Sequence, residues 1–355
     1  MQDTPQTSQK DSVNFGRVNK FVFLGGGQCL FDAVRHLISK ACTVTAITSE
    51  RHYYSHVSVG DETFPLYEAL ASIGIECHLV SHFDVNSNLM ADFDSNSLAL
   101  TPSAEWIFRK DDIDKLGGRL VNLHGSCLPE MRGGGGLTWN LMMGVREGGA
   151  TIHLVDSGID TGDILLQTKY ELPDEINTLE EATRFAQTQN SDLITLFLDK
   201  VLANETFDRK PQDNNSGTYW PRVKTDIHGF INWNWSAQDI SLFVSAFGAP
   251  YKGASTFIGD KRIRFQNASV VPAKDRFHPF QYGLVFRTTD EGVYISCKDG
   301  ALVVNHICDE QGEKIDLKKL LGRRFHTPWS YLEAALQKRV VSAHVPEFDE
   351  YRTKL

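Results

Sequence analysis

The chain has 355 residues, 41% of them hydrophobic and 23% charged, with a formal net charge of −9. That is an ordinary composition for a soluble globular protein, and enough chain for two domains with cores of their own. No apolar run is long enough to span a bilayer, and the polar stretch 1–15 lacks the apolar centre of a signal peptide, so no membrane partner is expected and the chain reads as cytoplasmic. The charge is uneven: residues 1–209 sum to −13 and residues 210–355 to +4. An acidic first half is a poor footprint for nucleic acid, and none is expected as a partner. The mildly basic second half suits an anionic small molecule, and equally a plain solvated surface. Six cysteines (Cys29, Cys42, Cys77, Cys127, Cys297, Cys308) show neither CxxC pairs nor metal-ligand spacing, and no HExxH arrangement exists. Free thiols in a reducing compartment and no metal are the expectation.

In chain order, residues 1–16 read as a loose tail. Residues 18–24 predict a strand ending in Gly25-Gly26-Gly27, after which Leu30, Val34, Leu37 and Ile38 fall on one helical face. The glycine run lacks both GxGxxG and the P-loop lysine, so it reads as a tight turn under a closely packed helix. Further strands are predicted at 42–48, 75–80, 97–101, 120–123 and 151–155, and a helix at 67–73. This alternation argues for an α/β domain, residues 17–210, built on a Rossmann-like parallel sheet covered on both faces. The longest helix, 178–203, opens with a capping box, Thr178-Leu-Glu-Glu181. The polar run Pro211-Gln-Asp-Asn-Asn-Ser-Gly217 marks a change of texture. Beyond it, a helix at 237–247 and short strands at 254–258, 262–265, 283–287, 293–296 and 301–307 predict a smaller β-rich C-terminal domain, residues 211–355. The 237–247 helix and the tail from Phe325 onward are both candidates for a homodimer face.

The chemistry concentrates in two loop-like segments after strands: Asn122-Leu-His124-Gly-Ser-Cys-Leu-Pro129 and Asp156-Ser-Gly158-Ile159-Asp160-Thr-Gly-Asp163. Asn122 and His124 stand two apart, so an extended backbone points them to the same side. An amide to hold an oxyanion, an imidazole to move a proton and a carboxylate to orient it are what acyl transfer needs. Asp160 alone would pass for a turn residue, and His153, inside a strand, reads as packed core. The second glycine run, Arg132-Gly133-Gly134-Gly-Gly136, adjoins the first segment and suits close approach of backbone to a ligand.

These two segments, 36 residues apart between His124 and Asp160, resemble the formyltransferase family that uses 10-formyltetrahydrofolate. The likeness is clear from about residue 96 to 172 and weaker from 17 to 95. It implies the formyltransferase fold and 10-formyltetrahydrofolate as formyl donor. It implies that Asn122 bonds the developing oxyanion, that His124 supports proton transfer, and that Asp160 orients His124 or an ordered water. It also implies that Trp106, Ile107 and Phe108 line the pterin pocket, and that the loop with Asp156, Gly158 and Ile159 wraps its other edge.

Residues 49–64 carry little positive charge, which argues against tRNA as the formyl acceptor. The segments Gly133-Gly-Gly-Gly-Leu-Thr-Trp139-Asn140 and Tyr219-Trp220-Pro-Arg222 resemble the sugar-nucleotide branch. The resemblance implies a nucleotide-linked amino-dideoxy sugar as substrate, commonly dTDP-linked, feeding O-antigen or other surface polysaccharide. Arg132, Gly133, Gly134, Trp139, Tyr219, Trp220 and Arg222 are then its expected contacts, aromatics stacking on a base and arginine pairing a phosphate. An aromatic cluster joining two domains explains the same tryptophans. Rival functions are methionyl-tRNA formyltransferase, another folate-dependent formyltransferase, and a non-catalytic carbohydrate-binding protein.

Overall fold

Strand β1, Lys20–Leu24, sends Phe21 and Phe23 into one hydrophobic core and Val22 and Leu24 into another. A strand apolar on both faces belongs inside a sheet covered on both sides. The structure, a computed structural model describing residues 11–103, 105–213, 215–271 and 277–338, places it in that position. With β2 (Thr43–Thr48), β3 (Cys77–Leu79), β4 (Ser97–Leu100), β5 (Leu120–His124), β6 (Glu147–Leu154) and β7 (Ile164–Glu171) it forms a seven-stranded sheet. The strand order is β7-β6-β5-β4-β1-β2-β3. Strands β1 to β5 run parallel.

Strand β6 departs from expectation: it pairs antiparallel with both β5 and β7, so the sheet is mixed. Period-two patterning specifies faces and not direction, and the sequence could not show this reversal. Its consequence is local. His153 lies opposite Asn122, and Thr151 opposite His124. The loop 155–163 leaves β6 beside Val121 and folds back to bring Asp160 to Asn122.

One face of the sheet is covered by α1 (Gln28–Ser39) and, after the short α2 (Gly136–Met143), by α3 (Leu179–Leu202). Just before α1, Gly26 leaves room for His52: a Cβ there would strike the His52 side chain. At the start of α3 the capping box forms, Glu181 N–H donating to Thr178 Oγ1 at 3.2 Å and Thr178 N–H to Glu181 Oε2 at 3.2 Å.

The second domain has its own core, including Ile231, Trp233, Phe265, Val285, Ile295 and Phe325. Its strands are β8 (Ala254–Ile258), β9 (Lys261–Phe265), β10 (Ser269–Val271), β11 (Val285–Thr289), β12 (Gly292–Ser296), β13 (Ala301–Val304), β14 (Ile307–Asp309) and β15 (Phe325–His326). They form two antiparallel four-stranded sheets, ordered β14-β9-β8-β15 and β10-β13-β12-β11. Helix α4 (Ala237–Ala246) buries Ile240, Phe243 and Val244 in this core and meets α2 of the first domain. That packing occupies much of the surface expected as a dimer face. Of the other candidate, Phe325 is core, helix α5 (Trp329–Gln337) exposes Trp329 and Leu336, and 339–355 lie outside the described residues.

The loose-tail expectation is corrected over 11–16. Ser12–Val13 pairs with Phe207–Asp208, and Phe15 is buried against Phe197 and Phe207. Residues 1–10 lie outside the described residues. Among the described residues, no helix is long and apolar enough to cross a membrane.

Candidate active site

Asn122 and His124 leave the end of β5 on one side, as their spacing requires, and Asp160 arrives from the folded-back loop. The Asn122 Nδ2 group donates to His153 Nε2 at 3.0 Å and to Asp160 Oδ1 at 3.3 Å. His153 Nδ1–H donates to the Leu154 carbonyl at 2.8 Å, which leaves Nε2 as the acceptor for Asn122. By the same logic His124 Nε2–H donates to the Met131 carbonyl at 2.6 Å. The other ring nitrogen, Nδ1, is thereby the basic one, and it faces Asp160 Oδ2 at 3.6 Å. Side-chain exposures of 11% for His124, 3% for His153 and 15% for Asp160 place the charges in a water-poor setting, where they act strongly.

Asp160 is the electrostatic hub. Burial opposes its ionisation, but the His124 and His153 imidazoles and a 2.9 Å bond from Gly133 N–H outweigh it and hold its carboxyl well below the usual range. The residue adopts a left-handed φ of 54°, uncommon for a non-glycine. Gly133, with φ of 95°, is there for a steric reason: a Cβ would run into the Trp220 carbonyl and the Tyr219 ring.

These groups open onto a cavity of about 530 Å3. Of the expected site residues, Trp106, Ile107, Phe108, Asn122, His124, Gly133, Gly134, Asp156, Gly158, Ile159, Asp160, Tyr219 and Arg222 all line it. Trp106 and Phe108 are buried, and among the described residues the Trp106 indole N–H has no partner.

Three expected contacts do not line the cavity. Tyr219–Trp220 pairs parallel with Arg132–Gly133, and successive residues of an extended strand point to opposite faces. Tyr219 therefore enters the cavity while the Trp220 Nε1–H donates outward to the Glu130 carbonyl at 3.1 Å. Trp139 donates to the Pro221 carbonyl and packs against Trp220 with ring centroids 5.2 Å apart. In this structure these two tryptophans join segments instead of lining the cavity. Arg132 is buried, its Nε–H on Gln212 Oε1 at 3.0 Å.

The sequence reasoning missed other cavity residues. His153 is buried as expected, but in the site; a lone imidazole in an apolar strand was the available signal. Arg51, His52, Glu105 and Tyr251 also line the cavity. Arg51 pairs with Glu105 at 2.9 Å, and Ser49 Oγ–H donates to the same carboxylate at 2.7 Å. Burial, and then the like charge of Arg51, pull the pKa of Arg222 below its usual value, with Glu105 opposing them. Among the described residues, Arg222 closes no ion pair of its own. A half-buried guanidinium in that state favours an incoming anion.

Comparison with known proteins follows the same lines. The family model for formyl transferase matches residues 100–196, and that for the formyl transferase C-terminal domain matches residues 224–324. Methionyl-tRNA formyltransferase of Acetivibrio thermocellus is 27% identical over 201 residues, 57% of this chain and 63% of that protein. The match thus spans just under two thirds of that relative. The Rickettsia bellii enzyme of the same name is 25% identical over 87% of this chain and 98% of its own. Among solved structures, an N-formyltransferase from Helicobacter canadensis with folinic acid and dTDP-3-aminofucose has a TM-score of 0.62 at 16% identity, covering 84% of this chain and all of that one. WlaRD, a sugar 3N-formyltransferase with dTDP and 5-N-formyl-THF, has a TM-score of 0.61 at 17% identity, covering 81% and 97%. At such identities the likeness is one of fold.

Proposed function

We propose, from the premise that this chain carries both formyl transferase domains and belongs to that family, that it is a sugar N-formyltransferase. It moves the formyl group of 10-formyltetrahydrofolate onto the amine of a nucleotide-linked amino-dideoxy sugar, dTDP-linked by first choice, for O-antigen or other surface polysaccharide. The observation that carries this is the Asn122–His124–Asp160 cluster in one cavity with an apolar aromatic wall and the Arg222 guanidinium, which closes no ion pair among the described residues.

The donor supplies an electrophilic formyl carbon, and Trp106, Phe108 and the 156–160 loop would hold its pterin. To donate to the formyl oxygen, Asn122 exchanges its bond to His153 or to Asp160. A preorganised donor of this kind contributes roughly 2.7–4 kcal/mol to the transition state. The attacking amine must shed a proton, and His124 Nδ1 is the atom to receive it. Ionised Asp160 then faces an imidazolium and offsets its charge. As the new bond from the amine to the formyl carbon forms, the bond from that carbon to the donor nitrogen breaks, and the same proton would pass from His124 to that nitrogen so that tetrahydrofolate leaves neutral.

Residues 49–64 support a small acceptor over RNA. They contain one arginine, Arg51, against Glu50, Asp61 and Glu62, and Arg51 is paired within the cavity to Glu105. Phosphate-backbone recognition needs several unpaired cations. The second reading, methionyl-tRNA formyltransferase, is favoured by the curated relatives of that name. The test is a panel of dTDP-, UDP- and GDP-linked amino sugars, each incubated with 10-formyltetrahydrofolate, beside charged initiator tRNA. Formylation of a nucleotide sugar and not of the tRNA is expected; formylation of the tRNA alone overturns the proposed acceptor.

A further inference from the structure

We infer that Gln212 is a positioning residue for the reaction: its carboxamide fixes Asp160 where Asn122 and His124 need it. The inference rests on Asp160 acting as proposed above. The left-handed backbone of Asp160 is uncommon for a residue with a Cβ, and its neighbours hold it there. Gln212 Nε2 donates to the Asp160 carbonyl at 2.9 Å and to the Gly162 carbonyl at 2.7 Å. Both amide hydrogens are thereby spent on the two sides of Thr161. Its Oε1 accepts from Arg132 Nε–H at 3.0 Å.

The carboxylate of Asp160 accepts from Gly133 N–H, in the loop of Arg132 and next to it. That loop is itself fastened to the segment after Gln212: Arg132 N–H donates to the Thr218 carbonyl at 3.0 Å and Gly134 N–H to the Trp220 carbonyl at 2.9 Å. On the other side of Gln212, Lys210 exchanges backbone hydrogen bonds with Ile164 at 2.9 and 3.0 Å. The main chain of Asp160 is thus held by Gln212, and its side chain through Gly133, whose flanking residues bond the Thr218 and Trp220 carbonyls just beyond the polar run 211–217 that marks the change of texture. Gln212 does not line the cavity, so it acts through Asp160 and not on substrate.

Substitution separates this role from a simple brace for Arg132. Gln212→Glu keeps the size and an oxygen for Arg132 but removes both donors. Gln212→Ala removes everything. Turnover is measured with 10-formyltetrahydrofolate and the acceptor found in the panel, alongside Asp160→Asn and the double variant Asp160→Asn/Gln212→Ala. Both Gln212 variants are expected to lose about 10²-fold in kcat, the scale of an ångström of misplacement, with both KM values within about threefold of the parent. In the Asp160→Asn background, removing Gln212 is expected to cost nothing further. Wild-type kcat in Gln212→Glu overturns the inference. Wild-type kcat in Asp160→Asn instead overturns the proposed chemistry and leaves Gln212 without a catalytic partner. A crystal structure of Gln212→Glu adds a readout free of substrate and of the alanine variant's folding. The carboxylate of Asp160 should have left Gly133 N–H, and an intact bond there contradicts the inference.

Discussion

Four groups face the Asp160 carboxylate: Asn122 Nδ2 and Gly133 N–H donate to it, and the His124 and His153 rings each stand 3.6 Å away. Its depressed pKa makes a stability statement. In the unfolded chain it titrates near 3.9, and in the fold well below that value. Its contribution is therefore complete above about pH 4 and is lost as the pH falls toward the folded value. Thermal unfolding of wild type and Asp160→Asn should show a gap that is constant at neutral pH and closes on acidification below about pH 4. A gap that stays open to the acid limit contradicts the assignment. At this scale the sequence was informative about Asn122 and His124, because two-residue spacing in a strand is enough to put them on one side. It marked His153 only as packed core and did not mark Gln212. Their partners lie 31 and 52 residues away in sequence, and only the pairing of β5 with β6 and the course of the connecting segment bring them in.

Helix α3 shows how local chemistry fixes an element. Thr178 and Glu181 cap its first turn reciprocally, and Leu193, Ile194, Phe197 and Leu198 then bury one face against the sheet. Thr178→Ala should cost about 1 kcal/mol in denaturant unfolding without touching turnover. A loss beyond about 2 kcal/mol, or a fall in kcat, would mean that the cap does more than end a helix. Caps, turn glycines and alternating strands were legible because each is written within a few residues. Strand direction was not, because the reversal of β6 leaves the same alternation on the page. The faces of Tyr219 and Trp220 were not legible either: both are aromatic, and only the register against Arg132–Gly133 decides which one enters the cavity.

At the scale of the molecule, the two domains are joined by α2 on α4 and by the segment that passes the active site. The cavity takes Tyr219, Arg222 and Tyr251 from beyond the first domain, so the second domain completes the site as well as packing beside it. The central claim is that formyl transfer to a small amine runs through the Asn122–His124–Asp160 cluster. It is tested most directly by the product masses of the nucleotide-sugar panel, taken in parallel for wild type and His124→Ala at equal enzyme concentration. The account expects a formylated amino sugar from wild type and a rate lower by about 10²–10⁴ in the variant. Equal product from the two proteins, or no formylated sugar from either, would contradict it.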